Sequence, residues 1–337
     1  MESLANPFGV NPSLALGELS ESARTILSAS ISSTTWEHRS RILSSFKTFL
    51  LENGRSQFFS LSDTCNFLAA RFDSSSHNGI FEEARTAIAT TIHINMGTNI
   101  SEEIIIHRLV MGVRAIRPRN PKYFKMWDIN VLFELFRKDF WQNCPLLCIR
   151  AWANILIRVS IAGQNKDVAH IDRMSVIWTE ESVSFRLFSW KTQNTEGAAL
   201  SRVFSIRKLP AKDAPICPFR ALQEYWSTYH IMECRSPDKG IWFGYRKRKS
   251  SLKPATLSKD CKQIMELAGI PPQFSAATIR HAAITWWRNM GVPLEVVMAR
   301  TGHRSSQLVL FYYDKSNVSH DITSDLLGNE LSSDDEE

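Results

Sequence analysis

Near the C-terminus lie three residue types that suit phosphodiester chemistry. They are Arg280, His303 and the adjacent pair Tyr312 and Tyr313. Arginine and histidine can donate hydrogen bonds to phosphate oxygens, and a phenol can attack phosphorus as a nucleophile. The residue types therefore predict a phosphate-directed pocket, provided that the intervening chain brings these side chains together.

Three short helices joined by tight turns are predicted to position these groups. Apolar residues follow Arg280 with helical periodicity, and the sequence Gly291-Val-Pro293 ends that first helix. A second helix ends at Gly302. Ser305 or Ser306 can cap a third helix, which carries the tyrosine pair. Such an arrangement would bring the arginine, the histidine and one tyrosine to a common pocket.

This stretch resembles the signature of tyrosine recombinases, the phage-integrase-like family. Their pattern is His-x-x-Arg, then Gly-His or Gly-Trp, then a nucleophilic tyrosine nine or ten residues further on. Arg280 and Gly302-His303 match the first two elements, and Tyr312 and Tyr313 lie nine and ten residues after the histidine. Because transposon-type relatives often use ten, the spacing favours Tyr313, with Tyr312 as the alternative. The resemblance implies a 3′-phosphotyrosine intermediate and no metal or other cofactor.

Two further residues are interpreted through this resemblance. Lys191 follows the second predicted strand and resembles the family's lysine, which protonates the leaving oxygen. His281 is adjacent to Arg280, where the transposon-type relatives also carry histidine. We interpret His281 as a packing residue rather than a catalyst.

The sequence departs from the family pattern at two positions. Ala277 stands where the histidine of His-x-x-Arg is expected, and Gln164, or Asn165 with a one-residue shift, stands where the family's first arginine is expected. Lys166 and Arg158 are nearby cations that could substitute. Loss of one preorganised donor typically slows such a reaction by ~10²–10³. Strand transfer is therefore less firmly predicted than DNA binding.

The composition limits which classes of protein this chain can belong to. The chain has 337 residues, a net charge of +6, 44% hydrophobic and 22% charged residues, which suits two globular domains and leans toward a polyanionic partner. Six scattered cysteines form no Cys-x-x-Cys pair, so we expect free thiols in a reducing compartment and no metal site. No secretory signal and no membrane span are predicted.

The predicted fold is mainly α with a small antiparallel β-sheet. Residues 1–20 are predicted to be disordered, and residues 21–120 to form a helical SAM-like core-binding domain. Residues 121–318 would form the α+β tyrosine recombinase catalytic domain, in which three alternating segments between 175 and 206 make the sheet. Residues 319–337 form an acidic tail.

Basic residues cluster at the junction of the two domains and in one later loop. An Arg/Pro-rich segment followed by Trp127-Asp128 resembles the junction of DIRS and Crypton transposon-type recombinases. The loop at 246–249 could be a nuclear localisation signal or a DNA contact, and we expect a nuclear protein. The predicted DNA-binding residues are Arg114, Arg117, Arg119, Lys122, Arg246 and Lys247.

Three hypotheses follow from the sequence. The first is a site-specific recombinase of a eukaryotic mobile element, which binds double-stranded DNA and self-associates on it. The second is a degenerate or domesticated derivative that binds DNA without strand transfer, which Gln164 and Ala277 would favour. The third is a helical protein-interaction module with incidental basic patches.

Overall fold

The computed structural model divides into two compact units, Met1–Asn120 and Pro121–Glu337. It describes residues 20–22, 33–55, 59–118, 122–138, 146–188, 201–231, 238–244 and 250–313. The predicted disordered N-terminus (save Ser20) and acidic tail lie outside these ranges. So do Lys191, Arg119, Arg246, Lys247 and two of the cysteines, Cys144 and Cys234.

The first unit is helical throughout its described part. Its helices are α1 (Ser33–Glu52), α2 (Leu61–Asp73), α3 (Asn78–Met96) and α4 (Ile104–Ile116), with a 3₁₀ turn at Ile100–Glu102. Helix α4 continues to Ile116, so Arg114, one of the basic residues at the domain junction, is helical.

Local sequence explains where α2 begins and what the unit buries. Ser60 and Asp63 form a capping box, in which each side chain accepts from the other residue's backbone N–H. The core contains Phe46, Phe67 and Phe81, with the Phe46 and Phe67 rings 4.9 Å apart. Aromatic side chains at helical spacing therefore hold α1, α2 and α3 together.

The second unit contains eight helices among its described residues. They are α5 (Asn130–Arg137), α6 (Leu146–Ile161), α7 (Asn165–Ala169), α8 (Pro218–Thr228), α9 (Pro254–Leu267), α10 (Thr278–Asn289), α11 (Leu294–Thr301) and α12 (Ser306–Leu308). A π-helical turn, Val309–Tyr313, follows α12. Helix α6 is buried along nearly its whole length and packs against α8, α9 and α10.

A three-stranded antiparallel sheet joins this helical core. Its strands are β1 (Ile177–Trp178), β2 (Ser182–Phe188) and β3 (Ser201–Arg207), in the order β1-β2-β3. Strands β2 and β3 pair from Ser182 opposite Arg207 to Phe188 opposite Ser201. The prediction of a mainly α chain with a small antiparallel sheet is confirmed.

A buried ion pair ties α6 to α9. The Arg150 guanidinium donates to Asp260 Oδ2 at 2.7 and 2.9 Å and to the Phe243 carbonyl at 3.2 Å. Both residues of the pair are buried. Since a buried charge without its partner is costly, this pair is required by the core once either residue is present.

Two other predictions concern membranes and metals. No described helix combines the length and apolar character needed to cross a bilayer. In the described ranges, no three histidine, cysteine or acidic side chains are grouped in a way that could hold a metal ion. The four described cysteines are free thiols.

We expect Asp260→Ala to lower the free energy of unfolding of the second unit by about 3–5 kcal/mol, because Arg150 then stays buried and unpaired. Urea unfolding followed by tryptophan fluorescence measures this, since Trp36 is the one tryptophan in the first unit. The control is Glu266→Ala on the same helix. Its side chain is 55% exposed in a pair with Lys262, so the change should stay within ~0.5 kcal/mol. Equal effects of the two substitutions would contradict the assignment.

Candidate active site

Arg280 lies in the first turn of α10 and is 5% exposed. Its Nη1 donates to the Ala162 carbonyl at 2.8 Å, and its Nη2 donates to the Thr301 carbonyl at 3.1 Å. Ala162 follows α6, and Thr301 is the last residue of α11. Two main-chain carbonyls from separate segments therefore fix the guanidinium, and burial lowers the Arg280 pKa from its usual high value.

The Ala162 carbonyl belongs to a residue with left-handed backbone geometry. Ala162 has φ of +44°, in the left-handed region that costs a residue with a Cβ ~1–2 kcal/mol. The next residue, Gly163, lies so close to Val168 that a Cβ there would be 2.7 Å from its Cγ2. The chain thus turns tightly between α6 and α7 and directs this carbonyl toward Arg280.

His303 is joined to the same group. Its Nε2 lies 3.1 Å from Arg280 Nη2, and its Nδ1 lies 2.6 Å from Thr301 Oγ1. Thr301 Oγ1 donates its hydrogen to the Val297 carbonyl at 2.7 Å. Because a hydroxyl has one hydrogen, Thr301 accepts from Nδ1–H, and Nε2 accepts from Arg280.

The His303 imidazole is therefore neutral and carries its proton on Nδ1. Burial, followed by the neighbouring charges of Arg280, His281 and Arg202, lowers the pKa of His303 to about 4. A neutral imidazole with an unprotonated Nε2 can accept a proton from a neighbouring group.

Tyr313 packs between two imidazoles. Its ring centroid is 4.6 Å from that of His303 and 4.4 Å from that of His281. The Arg280 Cζ lies 5.5 Å from the same centroid, and Thr285 Oγ1 donates to the Tyr313 carbonyl at 3.1 Å. The π-helical turn is therefore held against α10 with the phenol ring beside the arginine and the histidine.

The predicted group of Arg280, His303 and Tyr313 thus converges in the structure. Tyr312 lies in the same turn, and its side chain is outside the described residues, as is Lys191. His281 lies against the Tyr313 ring.

The cations near the two departures from the family pattern differ in their surroundings, and Arg158 lies close enough to Arg280 to lower its pKa. Ala277 is the residue before α10, and Arg158, completely buried, donates from Nη2 to the Ala276 carbonyl at 2.8 Å. Asn165 donates to the Pro254 carbonyl at 2.6 Å, and Lys166 is exposed on α7. Arg150, another arginine of α6, is held by Asp260.

The predicted DNA-binding residues divide by location. Arg114 is exposed, 3.7 Å from Glu82. The Arg117 guanidinium donates to the Phe72 and Ser75 carbonyls and lies over the Phe72 ring. Lys122 is exposed beside the Tyr123 ring, 5.3 Å from its centroid. A contact of these residues with DNA stays a prediction, and Arg117 would have to make it while holding the end of α2.

Sequence reasoning missed Arg202. This β3 residue donates from Nη1 to the Arg300 carbonyl at 3.2 Å and lies close enough to lower the pKa values of both Arg280 and His303. Its position in an alternating strand gave no signal, because the contact depends on how the sheet meets α11.

Comparisons with known proteins agree with this site. The phage integrase family model matches residues 216–320, a segment that runs from α8 through the whole described pocket sequence from Arg280 to Tyr313. The chain is therefore similar to phage integrases, the tyrosine recombinases, over the part that carries the pocket. No curated protein matched the chain by sequence.

Solved structures share the fold over most of the chain. A XerH site-specific recombinase bound to palindromic difH substrate is 13% identical, with a TM-score of 0.59, covering 88% of this chain and 79% of that one. A lambda integrase dimer bound to a COC′ core site is 12% identical, with a TM-score of 0.54, covering 88% and 76%. The Tn1549 transposon integrase in complex with transposon right end DNA is 11% identical, with a TM-score of 0.55, covering 94% and 98%. The fold is that of the tyrosine recombinases.

The lowered His303 pKa predicts a pH dependence of stability. In the unfolded chain His303 has a pKa near the ordinary histidine value of 6.5 and binds a proton below that pH. In the folded chain it stays neutral until about pH 4. Stability from this group is therefore complete above pH 6.5 and is lost as pH falls toward 4. Imidazole NMR titration should show the His303 ring neutral at pH 5, its signal assigned by its absence in His303→Gln.

The same substitution provides the stability control. His303→Gln should flatten the fall in thermal unfolding temperature between pH 6.5 and 4. A matched substitution at exposed His170 should leave that fall unchanged. A His303 signal that titrates near pH 6.5 would contradict the predicted environment.

Proposed function

We propose that this protein is a DNA-binding site-specific recombinase that cleaves and rejoins DNA through a 3′-phosphotyrosine intermediate. The observation that carries the proposal is the convergence of Arg280, His303 and Tyr313 in one pocket of a tyrosine recombinase fold. The family match over residues 216–320 supports it.

The proposed reaction divides the labour by residue type. The Tyr313 oxygen attacks phosphorus, the bond from phosphorus to the 5′ oxygen breaks, and Arg280 neutralises charge on a non-bridging oxygen. The phenol proton passes to the neutral His303 Nε2 once Arg280 Nη2 turns from that nitrogen to the phosphate, and Lys191 supplies the proton to the departing 5′ oxygen. Attack by a 5′-hydroxyl of a second strand reverses these steps and restores the phenol.

The partners proposed are double-stranded DNA and further copies of this chain. Rejoining a cleaved strand to a new partner requires two sites to be held together, which two or more protomers can do. Structures with this fold include a lambda integrase tetramer bound to a Holliday junction, at a TM-score of 0.53.

We further propose an origin in a eukaryotic transposable element of the DIRS or Crypton kind, and a nuclear location. The support is the Arg/Pro-rich segment before Trp127-Asp128 and the basic run at 246–249. Both are sequence features.

One alternative function has its own support. A derivative that binds DNA without strand transfer would tolerate Ala277 and Gln164, and Arg150 is committed to its ion pair with Asp260. Duplex binding without cleavage is therefore the competing outcome of the test below.

Covalent trapping tests the proposal. A pool of nicked duplexes with randomised sequence around the nick releases a short 5′-hydroxyl fragment after attack, so that the protein stays attached to DNA. We expect wild type to form adducts that survive SDS electrophoresis, and Tyr313→Phe to reduce them by ~10³ or more. Tyr312→Phe, the matched control, should retain them.

Duplex binding is measured on the same variants. The Tyr313→Phe protein should keep wild-type affinity with a steep salt dependence, because phosphate contacts release counterions. Binding without adducts in wild type would favour the non-cutting derivative. Failure to bind any duplex at low salt would favour the protein-interaction module, and adduct loss in Tyr312→Phe would transfer the nucleophile to that residue.

A further inference from the structure

Arg202 reaches the pocket from the sheet. It is the second residue of β3 and pairs with Leu187 of β2. Its Nη1 donates to the Arg300 carbonyl at 3.2 Å, in the last turn of α11. One guanidinium N–H group is thereby anchored to the backbone of the segment that leads into Gly302-His303.

The glycine beside His303 leaves room for this side chain. Gly302 adopts φ of +72°, and a Cβ there would overlap Nη1, Nη2 and Cζ of Arg202. Gly291 has a similar φ of +80° and nothing within 4 Å of its missing Cβ. Gly302 therefore does two things, since it permits the left-handed turn and lets a guanidinium lie against its Cα.

The charge around Arg202 favours an anion. Arg280 is buried, directs its Nη groups to two carbonyls and His303, and keeps an Nε–H without a partner, whereas Arg202 is only partly buried. Among the described residues, no carboxylate forms an ion pair with Arg202, although it is close to a second cation, Arg280, on which the Asp167 carboxylate also acts. Two guanidinium groups near each other repel, and an anion between them removes that cost.

We propose that Arg202 is a second phosphate-binding arginine of this pocket, and that its remaining N–H groups contact a non-bridging oxygen of the phosphate held by Arg280. The inference deepens the proposed recombinase function and rests on it for the identity of the phosphate as DNA. It places the second cation on a strand rather than at the passage from α6 into α7, where Gln164 and Asn165 are uncharged.

Inorganic phosphate is the first probe, because it needs no knowledge of the target sequence. Full-length protein labelled at histidine is titrated with phosphate at constant ionic strength, and the dissociation constant is read from the His303 signal. We expect Arg202→Ala to weaken phosphate binding by roughly 10-fold or more, as for a charge-assisted hydrogen bond. Arg202→Lys should fall between, because it keeps the charge and loses the planar fork.

The control is Arg207→Ala, which makes the same charge change at the exposed far end of β3. Its phosphate affinity should stay within about 2-fold of wild type, since screening weakens a distant charge. If Arg202→Ala and Arg207→Ala bind phosphate equally well, the inference is wrong.

A second variant displaces Arg202 without removing it. In Gly302→Ala the added Cβ forces the flexible Arg202 guanidinium away, so the phosphate affinity of this variant should fall to the Arg202→Ala level. The double variant should lose little more affinity than Arg202→Ala alone. Gly291→Ala carries the same left-handed strain with nothing within 4 Å of the added Cβ, and should retain wild-type affinity. Full additivity of Gly302→Ala and Arg202→Ala would overturn the proposed contact.

Adduct formation on the nicked pool separates this inference from the proposed function. If wild type forms adducts and Arg202→Ala matches it in both adduct rate and phosphate affinity, the function stands and the inference fails. If wild type forms no adducts while Arg202→Ala still loses phosphate affinity, strand transfer fails and the anion site stands.

Discussion

The pocket depends on a buried guanidinium that is held by main-chain carbonyls. Arg280 is removed from water at a desolvation cost, and the Ala162 and Thr301 carbonyls offset that cost with two hydrogen bonds. These carbonyls belong to the turn after α6 and to the end of α11. The arginine therefore fixes α10 relative to both segments, and His303 and Tyr313 take their positions from that arrangement.

The protonation of His303 follows from the same interaction. Arg280 donates to Nε2, and Thr301, committed as a donor to Val297, can accept only from Nδ1. The imidazole is thereby kept neutral beside the phenol of Tyr313. A charged arginine and a proton-accepting histidine can thus share one small volume, which suits attack by a phenol on a phosphate.

Much of this could be predicted from sequence, and what could not has a physical reason. The spacing of apolar residues, together with glycine and proline at element ends, predicted the helices around the pocket and the small sheet, because these signals are local. The convergence of Arg280, His303 and Tyr313 was also predicted, since short turns leave three brief helices few ways to pack. The carbonyl partners of Arg280 could not be predicted, because every residue type carries the same main-chain carbonyl. The position of Arg202 depends on how β3 meets α11.

Arg280 is held by the main-chain carbonyl oxygens of residues 162 and 301, so the side chains at these two positions can vary without removing the hydrogen bonds. Every residue type offers the same carbonyl, so mutations can accumulate around Arg280 without releasing it, provided that the backbone path is kept. The position of Arg280 in this chain is thus set by chain trajectory more than by the side chains of its neighbours.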